Sequence, residues 1–390
     1  MSSHLFADSL FAHVRALADQ IGPRPPGHPE EAQARTYIRR VLADLGYPEP
    51  EELPFNTIDD PVYSPLTLLG LALSGAVVAE LGGRRGKFLG AALNLYAAAS
   101  LWWYSGGGRQ PLERLAPQHP SATLLLRIPP TGTPQRRVVL VGHTDTQRYH
   151  PVFQPHLKHL LQSIYTQSLG LMVGGGGALL ARAAGIRPAA LAGWACAVMQ
   201  AQFLYQSLPR SARPYVAGAN DNATAVACLL GLAAHLRDEP LAHTEVWLAF
   251  TGAEEVMCRG MHRLLDQYGD ELRDAYFIDF EMVGSDEIAY VTRHSGLTYL
   301  NAYRPDPESL ALAERTAAAH PELRIQGREL VIVEEVGTLR QRGFRGLCIA
   351  GVGPDGWLEN WHLPSDVSEN IKPGGIERAA RFALAMLRAL

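Results

Sequence analysis

Residues 138–146 read VVLVGHTDT. Val and Leu in succession, closed by a glycine, read as a short buried strand, because β-branched residues suit the pleated surface and turn residues bound the run. His143 and Asp145 stand at its end, two residues apart and so on one side of an extended chain. An imidazole that binds a metal needs its second nitrogen held, and a carboxylate at this spacing can hold it. A His-x-Asp triplet alone is weak evidence for a metal, so the reading depends on what the rest of the chain supplies.

Working outward, further strand-like runs appear at 123–128 (TLLLRI), 245–250 (EVWLAF), 275–284 (AYFIDFEMVG) and 346–353 (GLCIAGVG). Apolar residues recur at helical spacing over 4–20, 30–46 and 222–236, and IGPRPPGHP at 21–29 enforces a turn between the first two. Alternating strand and helix patterns predict an α/β fold with a mainly parallel sheet covered by helices. The 390 residues suffice for one large α/β domain with insertions, or for two domains. A net charge of -4, from 35 basic and 39 acidic residues, provides no electrostatic footprint for nucleic acid. Cys196, Cys228, Cys258 and Cys348 are widely spaced and form no CxxC, which argues against a disulfide framework or a thiolate zinc site. Charged residues scattered through the first 22 positions predict no cleavable signal peptide.

Two stretches interrupt the alternation. Residues 64–79 and 88–107 carry no charge and are joined by ELGGRRGK; residues 160–181 and 188–209 repeat the arrangement around RAAGIR. Their lengths sit at the boundary for crossing roughly 30 Å of hydrocarbon. The expectation is two hydrophobic helical hairpins, 61–109 and 156–211, interrupting a catalytic domain made of 1–60, 110–155 and 212–390. Tyr63, Trp102, Trp103, Tyr104, Tyr165, Phe203 and Tyr205 gather mostly at the ends nearest the α/β part, as at a membrane interface. A multi-pass membrane protein with a lipid bilayer as partner is therefore expected. The competing arrangement is a Gly/Ala-rich four-helix bundle in a soluble, cytoplasmic protein, buried against the domain or in a homo-oligomer contact. Sidedness is undetermined: Arg84, Arg85, Lys87, Arg182 and Arg187 mark the hairpin tips, but Arg109, Arg114, Arg210 and Arg213 flank the other ends. The GGGG run at 174–177 lacks any phosphate-loop context and is assigned no chemistry.

Four more stretches carry candidate chemistry. GANDNATA (218–225) is a Gly-led turn into a helix, which makes Asp221 or Asn222 a helix cap, or makes Asp221 a carboxylate at the carboxyl edge of the sheet. AFTGAEEVM (249–257) ends a strand in Glu254 and Glu255, adjacent like charges that need solvent or a cation. Asp279 and Glu281 share one face of an expected apolar strand, where acids are costly unless paired or coordinated. NWHLPSDV (360–367) offers His362, followed by Asp366.

Taken in order, VVLVGHTDT, GANDNATAVACLLGLA, LAFTGAEEVMCRG, FIDFEMVG and NWHLPSDV resemble the five metal-site motifs of the M28 family of zinc aminopeptidases, and residues 21–47 resemble its opening helices. The resemblance implies a three-layer αβα fold with a central mixed, mainly parallel sheet. It also implies two Zn²⁺ ions, with His143 and Glu281 on one, Glu255 and His362 on the other, and Asp221 bridging them. Asp145 would orient His143, and Glu254 would be the general base. In the family's pattern the strand ligand is usually Asp, preceded two positions earlier by Asn; here Glu281 and Asp279 stand there, so Asp279 is a substitute candidate. The implied partner is a peptide with a free N-terminus. Two alternatives on the same fold are a glutaminyl cyclase, which uses a single zinc and lacks the equivalent of His143, and a catalytically silent membrane scaffold.

Overall fold

The computed structural model describes residues 3–208 and 213–390; Arg210 lies outside the described residues. The chain opens with α1 (Ala7–Arg15), α2 (Pro29–Asp44), β1 (Glu51–Thr57), α3 (Tyr63–Leu81) and α4 (Gly83–Tyr104). It continues through β2 (His119–Ile128), β3 (Arg136–His143), α5 (Leu160–Ala183), α6 (Ala189–Ser207), α7 (Thr224–Asp238) and β4 (Thr244–Thr251). Then come α8 (Arg259–Tyr268), β5 (Tyr276–Glu281), β6 (Glu287–Ser295), β7 (Ala302–Tyr303), α9 (Pro307–Ala319), β8 (Gln326–Val331), α10 (Glu335–Gln341), β9 (Leu347–Val352) and α11 (Pro373–Ala389).

The strands form one mixed sheet in the order β1-β2-β4-β3-β5-β9-β6-β7, with β8 beside β6. Its centre, β4-β3-β5-β9, is parallel, while β1, β2 and the β6–β9 and β6–β7 pairs are antiparallel. The run VVLV is continuously apolar because both faces of β3 are covered. Val138 and Leu140 pack towards α1, α2, α7 and α11, and Val139 and Val141 towards the α8 and α10 side. Three layers result, and the carboxyl ends of the central strands open at one edge, where α/β sheets bind ligands.

Helices α3 to α6 gather into one bundle at that edge. Their close approach rests on small residues: a Cβ on Gly90 would lie 2.2 Å from the Gly75 carbonyl oxygen. The GGGG run has a packing role of the same kind, since a Cβ on Gly175 would come within 2.9 Å of Asn94 Oδ1. Asn94 ties the bundle together, donating to the Ala72 carbonyl at 2.9 Å and accepting from Gln200 Nε2 at 3.1 Å. Asn301 and Gln341 of the α/β body donate to the main-chain carbonyls of Trp102 and Trp103 and so hold the bundle in place. By length and composition α3 is the one helix among the described residues long and apolar enough to cross a membrane. The expectation of four spans is therefore supported for one segment only.

Candidate metal centre

Five elements deliver side chains to the carboxyl edge. His143 closes β3, Glu281 closes β5, Asp221 precedes α7, Glu254 and Glu255 follow β4, and His362 lies in the loop after β9. All six are 9 % exposed or less. His143 Nε2 stands 3.2 Å from Asp221 Oδ1 and 3.7 Å from Glu281 Oε2. His362 Nε2 stands 3.2 Å from Asp221 Oδ2 and 2.9 Å from Glu255 Oε2. Two trios of ligand atoms, each drawn within 4.8 Å, thus share one aspartate. Each trio offers nitrogen and carboxylate oxygen, the donors zinc accepts. His143 Nε2, Asp221 Oδ2 and Glu255 Oε1 are buried and have no hydrogen-bond partner, a costly state for polar atoms unless something else satisfies them. The residues present fit a pair of cations.

The local backbone is shaped to aim these groups. Gly218, at φ +64, begins the turn before Asp221, and a Cβ there would strike Thr146 at 2.1 Å. Ala253 (φ 52), Met282 (φ 51) and His362 (φ 50) adopt left-handed conformations that non-glycine residues seldom take, and each touches or carries a site residue. The peptide bond between Asp221 and Asn222 is cis.

Buried support surrounds the trios. The Asp145 carboxylate accepts from the Glu254 and Glu255 amides at 3.0 and 3.1 Å, with one oxygen 3.5 Å from His143 Nδ1. It therefore grips the glutamate pair as well as facing the imidazole. Asp366 accepts from the amides of Asn220 and Asp221, at 2.6 and 3.2 Å. Asn222 donates to Glu281 Oε2 at 3.1 Å. Arg24, in the turn after the first helix, is 1 % exposed and donates to the carbonyls of Leu17, Gly22, Thr144, Ala217 and Gly218. Arg24→Met removes a donor from each; Leu17 and Gly218 keep the amides of Gly22 and Ala223, and each of the other carbonyls that water cannot reach costs about 1–3 kcal/mol. The expected loss is about 3 kcal/mol or more of stability, checked by denaturant unfolding.

Sequence reasoning passed over Arg24 and a second acidic group. Asp279 faces Glu334, not the two trios, and Glu334 meets His294 Nε2 at 2.8 Å. Glu335 accepts from Thr251 Oγ1 at 2.6 Å. Nothing in the spacing of IVEEVG marks it as facing the site, because the pairing arises between distant segments. Of the two β5 acids, Glu281 is the one that joins His143.

This concentration of carboxylates sets the electrostatics. Burial raises Glu255 and Glu281 to about 7, and the Asp221 charge adds to it, with His362 or His143 opposing. Glu254 is pushed well above the usual carboxylate range by burial and by its neighbours Glu281, Glu255 and Glu335, against the pull of His143. Burial works against a charged His143, yet Asp145, Asp221 and Glu281 together raise it. In the metal-free chain the folded state keeps protons on Glu255 and Glu281 that the unfolded chain releases above its ordinary value. Stability of the metal-free fold should therefore fall as pH rises from about 4.5 to about 7. Zinc needs the deprotonated ligands, so its affinity should climb over the same window. Calorimetric zinc titration at pH values on either side of 7 checks the sign: affinity that is flat or that increases towards acid contradicts it.

Comparison with known proteins adds the following. Residues 204–387 match the model of peptidase family M28. No curated protein matches the chain in sequence. Among solved structures, a zinc aminopeptidase from Bacillus subtilis is 13 % identical with a TM-score of 0.58, over 98 % of this chain and 94 % of that one. A Zn-dependent exopeptidase from Parabacteroides distasonis is 15 % identical with a TM-score of 0.56, over 98 % and 97 %. A glutaminyl cyclase from Fimbriiglobus ruber is 14 % identical with a TM-score of 0.58, over 99 % and 96 %. At these identities the likeness is one of fold. The match to peptidase family M28 thus covers residues 204–387, and the likeness of fold to these zinc exopeptidases extends over nearly the whole chain.

Proposed function

We propose that the chain is a zinc-dependent aminopeptidase. The observation that carries this reading is the pair of His/carboxylate trios sharing Asp221, with a fourth carboxylate, Glu254, beside them and outside both. His143, Asp221 and Glu281 would hold one zinc, and Asp221, Glu255 and His362 the other. Zinc bound there supplies Lewis acidity, which lowers the pKa of a water and polarises the scissile carbonyl.

Glu254 receives the proton that the water loses and passes it to the departing amine. A proton acceptor that must also be a donor needs a pKa above the usual carboxylate range, and burial among acids supplies it. Asp145 keeps Glu254 and Glu255 in register by holding both amides, so the base and a ligand move as one unit. Asp366 and Asn222 orient Asp221 and Glu281 in the same way. The free amine of a peptide N-terminus finds carboxylates around it, which confines cleavage to the first peptide bond.

A second reading, N-terminal glutamine cyclisation, is favoured by the glutaminyl cyclases among the structural neighbours. The two readings separate on metal count and product. Full-length protein should hold two zinc ions per chain and release arylamine from aminoacyl arylamides. One zinc, with pyroglutamyl product from a glutaminyl peptide and no arylamide hydrolysis, establishes the cyclase instead.

The outer face of the α3–α6 bundle supports a membrane-associated location. Val77, Leu81, Leu191 and Val198 are more than half exposed, and Trp102, Trp103 and Trp194 about half. Large apolar side chains left exposed in this number on one bundle mark an interaction face. We assign it to a bilayer. Expressed protein should partition with membranes and leave only in detergent; a fully soluble monomer refutes the assignment, and a soluble dimer makes a second copy the partner.

A further inference from the structure

The metal centre opens into a cavity of about 420 Å³ whose far wall belongs to the helical bundle. Asp221, Glu254, Glu255, Glu281 and His362 lie at one end. At the other, every helix of the bundle contributes an apolar side chain: Leu69 from α3, Leu101 from α4, Ile164 and Met172 from α5, and Phe203 from α6. Leu69, Leu101 and Met172 are 2 % exposed or less and belong to the bundle core, whereas Ile164 is 40 % exposed, so the wall runs from a buried base to an open rim. For scale, a dry cavity of roughly 150 Å³ takes a benzene ring. The space here exceeds what any one natural side chain fills.

We propose that the bundle forms a binding channel for a long apolar chain, and that the substrate is an amphiphilic amide. Its hydrolysable end lies at the carboxylate and histidine side chains, and an alkyl group of acyl length, carried on the carbonyl side of the scissile bond, lies among α3 to α6. The substrate class rests on the aminopeptidase reading; the channel itself rests on the cavity alone. Charge supports this orientation, because the cationic free amine suits the acidic end, whereas the bundle helices line the cavity with apolar side chains and a few neutral polar ones such as Ser168 and Gln206, and with no carboxylate. The same helices carry the apolar outer face, so a substrate drawn from a bilayer would meet a surface of matching polarity.

The test uses zinc-loaded, full-length protein and arylamides of alanine, norleucine, aminooctanoic acid and aminodecanoic acid. Each methylene buried should raise kcat/KM roughly three- to four-fold until the channel is filled. The aminodecanoyl substrate should therefore exceed the alanyl one by roughly 100-fold or more, mainly through KM. Ser168→Phe, which adds a ring to the α5 wall, should reduce that long-to-short ratio at least ten-fold; Ile164→Trp on the same wall serves if the first variant does not fold. Calorimetric binding of aminodecanoic acid, against alanine, reads the channel without catalysis. Hydrolysis with no dependence on chain length overturns the channel and leaves the peptidase reading standing. Absent hydrolysis, with tight aminodecanoic acid binding that the variants weaken, overturns the peptidase reading and keeps the channel. Neither hydrolysis nor binding overturns both.

Discussion

Glu254→Gln is expected to lower kcat by roughly 10²–10⁴-fold, the span associated with a positioned general base, while the protein keeps its full zinc content. The amide matches the carboxylate in shape and can still accept from Cys258 Sγ, which approaches Glu254 Oε1 at 3.3 Å, so the loop has no cause to rearrange. What the substitution removes is the ability to take a proton and return it. Glu254 belongs to neither trio of ligand atoms, and this separates its effect from that of a ligand. The measurement is arylamide hydrolysis together with metal analysis on the same preparation. A variant as active as its parent, or one that has shed zinc, removes Glu254 from the role of base.

Asp221→Asn should produce the larger structural consequence. Asp221 is the one residue common to both trios, with one oxygen towards His143 and the other towards His362, each at 3.2 Å. Replacing one oxygen by an NH₂ group sets a donor where a ligand atom is needed. Replacing a residue that only orients a ligand typically costs 10–100-fold in metal affinity; losing a shared ligand should cost more than roughly that at both positions. Metal analysis should then find fewer than two ions, and the rise in Tm that zinc confers on the wild type should shrink. Retention of both ions at wild-type affinity would falsify the bridging assignment. Asp366 frames this expectation, because it still holds the Asn220 and Asp221 amides and keeps the turn in shape when the side chain changes.

Much of the architecture was legible from local pattern. The uninterrupted apolar run at 138–141 specified a strand covered on both faces, and Val138/Leu140 and Val139/Val141 do enter opposite cores. The site was legible only as an ordered set of weak signals. His143, Asp221, Glu254, Glu255, Glu281 and His362 are spread over 220 positions, and no spacing rule links the strand ends to a loop so far downstream. Parallel strands bring them together because each carboxyl end reaches the same edge of the sheet. The hairpins were harder to judge. Apolar length alone does not distinguish a membrane span from a packed bundle, and the structure has both a buried inner face around Asn94 and Gln200 and an apolar outer one.

By itself the sequence determined the α/β class, the strand that carries His143, the four apolar helices and the residue types available to a metal. Those follow from periodicity and composition, which act over a few neighbouring residues. Only the tertiary structure decided that Glu281 and not Asp279 meets His143, that Asp145 holds both glutamate amides, and that Arg24 pins three segments together. It alone decided that the helical bundle walls the cavity at the metal centre. These are contacts between segments tens to hundreds of residues apart, set by strand register and helix packing, for which no local pattern in the chain carries a signal.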